Sequence, residues 1–553
     1  MYVGIDVGGT YTDGVIVHQG QIMSTAKVPT YTKVSQSITE ALHQLLDGKE
    51  PKNISRMVLS TTIITNLIAQ EKYGQVGLIL MPGPGINPAS LNFAGPYVLV
   101  DGAVDYRGRI LSELNKAQLQ KAAEELQQQG LTKIVVACKF ATRNKRLEEE
   151  AVKYLEEVLP TCEYLASSEV SGMLNWVRRA NGSVFTLAIR DAYKSFVAEV
   201  ERTIEELGIS CPIHVLQADG GTIPLNISLQ YPLEALYSGP AASALGALAA
   251  TEEDLTAVVL DIGGTTTDMS LILKGVPLLA EKGASIKDYP LPVRALAVSS
   301  IPLGGDNSLE IINGSVGLGP KKGRAMCLGG PSLTVTDLMV LEGYSDLAMP
   351  TEVRKAALDL AQSLNLDLKG LCDMVLGQFI ERLEKQLSIM FKIWEEEPAY
   401  RIWQVLNKQE LRPALLVCQG GPAAGLGRFW AQAKGWQVRI PPYAQVANAV
   451  GAALARHTLK LEFTADTEQQ TYSTNIGGYS GKLSQPVHKL SDAQLIAQEV
   501  FHQIAGKWKL EIADEPEELY AESYNMVRGW STTGKILQVG LQTAPGLWSR
   551  IRQ

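Results

Sequence analysis

The chain is poor in the residues that build metal centres and disulfide frameworks. Its six cysteines (Cys138, Cys162, Cys211, Cys327, Cys372 and Cys418) include no Cys-x-x-Cys pair, so neither a zinc ribbon nor a dithiol redox site is expected. The six histidines are equally dispersed, with no His-Glu-x-x-His spacing, which removes the common zinc-hydrolase arrangement. Charged residues make up only 20% and sum to −8, a balance that argues against a broad nucleic-acid-binding surface. No apolar run reaches the roughly 20 residues of a membrane span. The sequence opens directly on a strand-like run, with no signal peptide expected. Cys138 and Cys418 close apolar runs and read as reduced core residues, which fits a cytoplasmic protein.

What is present is one octapeptide written twice. Asp6-Val-Gly-Gly-Thr-Tyr-Thr-Asp13 returns as Asp261-Ile-Gly-Gly-Thr-Thr-Thr-Asp268, with six of eight positions identical, each after a short apolar run. The pattern predicts strand, tight turn, strand. Glycines let backbone approach a ligand, and consecutive N–H groups with Thr hydroxyls suit an anion. A carboxylate at the end of the first strand would repel a bare phosphate, so it points to a divalent cation beside it. Two such hairpins predict two lobes gripping one nucleotide polyphosphate. The expected donors are Gly8, Gly9, Thr10, Thr12, Gly263, Gly264, Thr265 and Thr266. Asp6 and Asp261 are the expected catalytic and metal-holding carboxylates, acting on Mg²⁺ through water. Asp13 and Asp268 are expected to brace their turns locally.

The first 175 residues or so alternate strands (Tyr2 to Ile5, Gly14 to Val17, Met57 to Ser60, Val76 to Leu80, Ile134 to Ala137) with helices (Gln36 to Leu46, Thr65 to Lys72, Lys116 to Gln129, Arg146 to Leu159). A long helix is predicted over Val184 to Leu207, then a strand, Ile213 to Leu216, running into Asp219-Gly-Gly-Thr222. Small residues from Ser238 to Ala247 suit a closely packed helix. Beyond the second octapeptide come Leu303-Gly-Gly-Asp306, a Gly/Lys-rich loop from Gly314 to Gly330, and a helical stretch from Thr351 to Trp394. A strand, Ala414 to Cys418, meets Gly420-Gly-Pro422, where Gly420 and Gly421 would let adenosine lie on backbone. Gln445 to Ala455 reads as a buried hinge helix. From Leu461 the pattern weakens to one helix (Asp492 to Ile504), an acidic patch (Asp514 to Glu518) and β-rich segments around Gly529 to Val539. Three domains are expected: 1–175 with the first hairpin, 176–460 with the second, and a small α+β unit over 461–553.

Gly4-Ile-Asp-Val-Gly-Gly-Thr-Tyr-Thr-Asp13, Ser60-Thr-Thr-Ile-Ile-Thr-Asn66, Ser167-Ser-Glu-Val-Ser171, Ser238-Gly-Pro-Ala241, the second octapeptide, Pro331 with Thr334-Val-Thr-Asp337, and Gly420-Gly-Pro422 follow one another in this order. The set resembles the superfamily of actin, sugar kinases and heat-shock chaperone ATPases. Within it, the chain looks like the ATP-binding A-type subunit of the hydantoinase/oxoprolinase family. The resemblance implies an α/β, two-lobed actin-like ATPase with duplicated ribonuclease H-like domains. It also implies ATP and Mg²⁺ as cofactors, a hydantoin, lactam or 5-oxoproline type substrate opened after phosphoryl transfer, and a B-type subunit as partner. A homo-oligomer is also kept as an expectation. A ketone-phosphorylating carboxylase subunit, a small-molecule kinase and a nucleotide-switched reactivase stay open. Thr61, Thr62 and Asn66, at a strand end entering a helix, are the substrate candidates; the alternative is a capped helix start with Thr65 as N-cap. Thr334 to Asp337 would line the cleft or cap a helix. Arg178 and Arg179 would bind a carboxylate, although adjacent helix positions diverge and at least one is expected in solvent. Position 219 is Asp where the family more often has Asn.

Overall fold

A computed structural model describes every residue except 70–72, 252–254, 281, 313, 346, 397–411, 513, 529, 544 and 553. The last three residues of the helix expected over Thr65 to Lys72, and Gly529, lie outside the described residues.

Each octapeptide opens a sheet. In the first, β1 (Tyr2–Val7) and β2 (Tyr11–His18) form an antiparallel hairpin continued by β3 (Gln21–Pro29). On the other side of β1 stand β4 (Arg56–Thr61) and β5 (Ile213–Leu216), both parallel to it, and β6 (Thr222–Pro224) closes the edge. The second sheet repeats this plan. There β7 (Ala257–Ile262) and β8 (Thr267–Leu273) make the hairpin and β9 (Val298–Ile301) continues it. On the other side of β7 stands β10 (Leu415–Gln419) and beyond it β11 (Gln437–Arg439), each parallel to its neighbour. The central strands are buried on both faces, which is why β1 and β7 read as near-continuous apolar runs rather than alternating ones.

Two short Ala/Gly-rich helices, α1 (Ser238–Ala249) and α2 (Ala447–Leu454), fill the space between the sheets. α1 shares a core with Val58 and Leu216 of the first sheet and with Val259, Ile272 and Val417 of the second. α2 packs on Val15 and Val17 of β2. The seam is made of backbone: a Cβ at Gly451 would lie 2.0 Å from the Ala242 carbonyl oxygen, one at Gly246 2.2 Å from that of Ala447, and one at Gly4 2.0 Å from that of Ala449. Only glycine permits contacts this close.

The expected boundary at 175/176 coincides with the start of a helix, Trp176–Glu206, capped by the Asn175 side chain. Yet β5 and β6 belong to the first sheet, so chain well beyond residue 176 completes it. That helix begins eight residues earlier than its amphipathic pattern indicated, because residues 179–189 are buried on all sides and carry no polar stripe. The expectation of a solvated Arg178 or Arg179 is corrected here. Arg179 is fully buried, donating to Ser167 Oγ (2.9 Å) and to the carbonyls of Met173 (2.8 Å) and Cys138 (2.5 Å). Buried Glu148 accepts from Ser167 Oγ and from the backbone N–H groups of Ser168 and Cys138. Arg178 donates to the Leu291 carbonyl. The Ser167–Ser171 motif is thus a structural polar network. Arg179→Met is expected to destabilise the chain by about 3 kcal/mol, since it strands several buried acceptors; chemical denaturation followed by circular dichroism measures it.

Three further expectations change. The Gly/Lys-rich stretch expected as a loop from Gly314 to Gly330 begins with one strand of a hairpin, Asn307–Ile312 with Ser315–Lys321, in which Gly319 leaves room for the Glu310 side chain; beyond Lys321 it is a loop with a single 3-10 turn, Met326–Leu328. The helical stretch is two helices, Thr351–Ser363 and Leu368–Glu396, separated where Asn365 takes a positive φ of 54°. The C-terminal part holds a five-stranded sheet of its own, built on Lys460–Asp466, Ser531–Gln542 and Glu517–Arg528 and backed by the helix Leu490–Lys507. Its last residues double back: Trp548 N–H reaches the Leu454 carbonyl at the end of α2, Ile551 N–H that of Ala249 at the end of α1, and Arg552 N–H that of Gly20 beside β3. Among the described residues no helix is long and apolar enough to cross a membrane.

Candidate active site

Both octapeptide turns are closed by the same hydrogen bond, from Gly8 N–H to the Tyr11 carbonyl (3.0 Å) and from Gly263 N–H to that of Thr266 (2.9 Å). Flanking segments occupy the carbonyl side of each turn. Thr30 donates through its N–H to Thr10 and through its hydroxyl to Gly8. Gly305 and Asp306 donate to Gly263 and Gly264. Gly9, Thr10, Thr265 and Thr266 remain at the surface of their turns.

The strands end on carboxylates that meet. Asn448 of α2 donates from one amide nitrogen to Asp6 Oδ2 (3.3 Å) and to Asp261 Oδ2 (3.1 Å). Strand pairing places Asp13 opposite Asp6 and Asp268 opposite Asp261. Lys27 on β3 pairs with Asp13 at 2.7 Å, whereas Asp268 hydrogen-bonds Ser300 on β9. These two carboxylates therefore brace the neighbouring strand, not their own turns as expected. Burial pushes the Asp6 carboxyl up to about 6, with Asp13 adding to it. Burial also lifts Asp261 to about 7, reinforced by the charges of Asp268, Asp6 and Asp13. Asp6 Oδ1 is buried without a hydrogen-bond partner.

The model of the hydantoinase/oxoprolinase N-terminal region matches residues 2–159, and the hydantoinase/oxoprolinase model matches residues 179–460. The chain belongs to the hydantoinase/oxoprolinase family. An uncharacterized protein of Methanocaldococcus jannaschii is 23% identical over 82% of this chain and 72% of its own length. The caprolactamase alpha subunit of Pseudomonas jessenii is 24% identical over 62% of this chain, a match that spans only 54% of that subunit. Among solved structures, nucleotide-free acetone carboxylase superposes with a TM-score of 0.72 at 17% identity, covering 100% of this chain and 88% of that one. The ATP-dependent caprolactamase of Pseudomonas jessenii superposes with a TM-score of 0.62 at 17% identity, covering 98% and 87%. These two likenesses show a shared α/β fold.

In this hydantoinase/oxoprolinase family member one predicted donor, Thr12, turns away from the surface of its hairpin. Thr12 is fully buried, its hydroxyl 3.0 Å from that of Thr30, and Thr267 in the matching position donates to the Leu303 carbonyl at 2.6 Å. The period of two along a strand turns Thr12 inward, and the residue equivalent to Thr266 is Tyr11. Gly420, at φ +98°, abuts β7: a Cβ there would lie 2.3 Å from the Ile262 carbonyl oxygen and 2.9 Å from Asp261 Oδ1. Gly421 is open to solvent. Thr61 is fully buried and its hydroxyl accepts the Ile63 N–H, so it offers nothing to a ligand. Thr62 and Asn66 are accessible and hydrogen-bonded to each other, with the Thr62 hydroxyl also on the Val7 carbonyl. The helix there starts at Ile63, so Thr65 lies inside it and is no N-cap; its hydroxyl accepts the Tyr237 N–H. Thr334 and Asp337 form a capping box on the helix Val335–Leu341.

Two residues were missed. Asn448 carried no pattern beyond being the one amide in an Ala-rich helix. Lys321, paired with Asp306 (3.0 Å) and 3.2 Å from the Thr265 hydroxyl, brings a cation to the second turn; its Gly/Lys-rich context was the available signal.

Proposed function

We propose that the chain is an ATP-dependent enzyme subunit that activates the carbonyl of a small cyclic amide by phosphoryl transfer, with a B-type partner subunit completing the ring opening. The observation that carries this reading is the Asn448 amide joining Asp6 and Asp261 beside two turns closed by the same hydrogen bond. In it the chain is a two-lobed, actin-like ATPase, its first lobe running to about residue 237 and its second to about 460, with an accessory C-terminal unit. The amide N–H groups of Gly9, Thr10, Gly264, Thr265 and Thr266 and the hydroxyls of the three threonines cradle the phosphates, while Gly8 and Gly263, expected as donors, spend their N–H groups on closing the turns; Lys321 neutralises one oxygen, and Gly421 lies under adenosine.

The residues fit Mg²⁺. Asp6 offers a bare buried carboxylate oxygen, and Asp261 stands beside it. Among the described residues no group of three or more His, Cys, Asp or Glu side chains forms a metal cage. That suits an ion held by one or two carboxylates, water and substrate phosphates. Bound there, it would supply charge neutralisation on the transferring phosphoryl group. The protein's own part is to hold the two lobes in register, keep acceptor and phosphate in line and exclude water. An unstrained lactam is a poor electrophile. Transfer of the γ-phosphoryl group to its oxygen, releasing ADP, gives an O-phosphoryl imidate whose carbon water attacks. The C–N bond then breaks with the ring nitrogen leaving as a protonated amine, and hydrolysis of the resulting acyl phosphate releases the carboxylate and inorganic phosphate.

A screen for inorganic phosphate release tests this. Stimulation by caprolactam, hydantoin or 5-oxoproline is expected. Stimulation by ketones alone would replace the amide by a ketone, and stimulation only by a protein would make the chain a nucleotide switch. The loop Leu303–Asp306 backs the second hairpin directly. Asn66→Ala is expected to raise KM for the ring about tenfold with KM for ATP unchanged, read from steady-state kinetics.

A further inference from the structure

Away from the hairpins the structure holds a cavity of about 780 Å³, a size that takes small organic ligands. The helix Trp176–Glu206, the turn between β5 and β6, the segment 276–294 and the C-terminal sheet all contribute to it, and no residue of either octapeptide lines it. Much of its wall is aliphatic, with Ile223, Leu233, Leu279 and Val293 among the lining side chains.

The charge a ligand must carry follows from pairing off the groups that face the cavity. Arg178, Lys282, Arg294 and Lys460 bring positive charge, and Asp219, Glu234 and Glu462 bring carboxyls. Asp219 stands 3.9 Å from Arg294 and is held by the Gly221 N–H and the Thr458 hydroxyl. Glu462 pairs with Lys460. Burial pushes the Glu234 carboxyl up to about 8, with Asp219 adding to it, so Glu234 is protonated at neutral pH. Arg178 and Lys282 are left over, and among the described residues neither pairs with a carboxylate. Lys282 is exposed, whereas Arg178 is half-buried. Arg178 spends one N–H on the Leu291 carbonyl (2.7 Å), and none of its nitrogens is both buried and unpartnered, so the guanidinium keeps surface with which to meet a ligand. Burial alone weakens its hold on its proton, with no carboxylate acting against it. It also stands in the first turn of its helix, where the helix dipole disfavours a cation. A bound anion relieves both costs.

We propose that this cavity binds a linear aliphatic monocarboxylate, its head on the Arg178 guanidinium and its chain along the aliphatic wall. A carboxylate matches one planar guanidinium in charge and shape, whereas a neutral compound leaves that charge uncompensated. The inference goes beyond the phosphoryl-transfer reading and does not rest on it. Titration calorimetry of the full chain without nucleotide tests it, with octanoate, hexanoate, octanol and octylamine as probes. Octanoate is expected to bind saturably, and hexanoate about tenfold more weakly because it buries fewer methylenes. Octanol and octylamine, lacking the anionic head, are each expected to bind at least about tenfold more weakly than octanoate. Arg178→Met is expected to weaken octanoate by about tenfold while ATP affinity is unchanged. Ala280→Phe, which fills the cavity from its wall, is expected to abolish octanoate binding and decides the matter if Arg178→Met does not fold. The proposal is overturned if a wild-type chain that binds ATP shows no saturable octanoate binding. Octanol or octylamine binding as tightly as octanoate also overturns it, as does octanoate affinity that survives both substitutions. Phosphate release stimulated by a cyclic amide, without octanoate binding, keeps the phosphoryl-transfer reading and sinks this one; octanoate binding without such stimulation does the reverse.

Discussion

Asp261→Asn is expected to lower phosphate release on the order of a thousandfold while making the ligand-free chain more stable at pH 7.5. The two effects share one cause. Burial raises Asp6 to about 6 and Asp261 to about 7, above the ordinary aspartate value of 3.8. Between about pH 4 and pH 7 the folded chain therefore binds more protons than the unfolded chain, and its stability falls as pH rises through that window. At neutral pH, holding Asp261 ionised costs on the order of 2–4 kcal/mol of folding free energy. Asparagine keeps the shape and still accepts from Asn448, but removes that cost together with the charge the reaction needs. Thermal melts without ligand should show the variant above wild type at pH 7.5 and level with it near pH 4. ATP binding should be at least partly retained. Turnover unchanged by the substitution would take Asp261 out of the mechanism, and a variant less stable than wild type at pH 7.5 would mean the carboxylate is not strained by its burial.

Gly451→Ala is expected to damage stability and turnover together, because it acts at the seam that carries Asn448. Its Cβ would sit 2.0 Å from the Ala242 carbonyl oxygen and 2.6 Å from Gly246 N. Both neighbours are helix backbone, so no rotamer change relieves the contact. Overpacking usually costs about 1–3 kcal/mol, and a backbone clash belongs at or above the upper end. α2 would have to move off α1, carrying Asn448 away from the two aspartates it joins. Reduced ligand-free stability and a loss of phosphate release beyond what the remaining folded fraction explains are expected together. Gly421→Ala, at a position with nothing within 4 Å, is the control for stability. Scanning fluorimetry and a phosphate-release assay on the same samples separate the two effects.

The hairpins were legible because a repeat of six identical positions, each in a strand context, is a pattern that survives without alignment. Their inward and outward positions were harder to read: the run Thr10-Tyr11-Thr12 offers two hydroxyls, and only the pairing of β2 with β3 shows that Thr12 turns inside. Asn448 was invisible for a different reason. A polar residue that acts by joining two distant strands leaves no local periodicity. The start of the helix at Trp176 was missed because burial on all sides erases amphipathicity. The strand Lys460–Asp466 lies between a short neighbour, Thr471–Thr474, and the distant Ser531–Gln542, and a partner far along the chain leaves no local pattern. Thr61 and Thr62 differ by a single position, yet only the fold tells which hydroxyl is spent on its own backbone.

The returning segment Trp548–Arg552 touches the carboxyl ends of both central helices and the edge of the first sheet. It is continuous with the strand Ser531–Gln542 of the C-terminal sheet. That sheet therefore holds a drawstring: the chain that leaves it is knotted to the partition between the two hairpin sheets, away from Asp6 and Asp261.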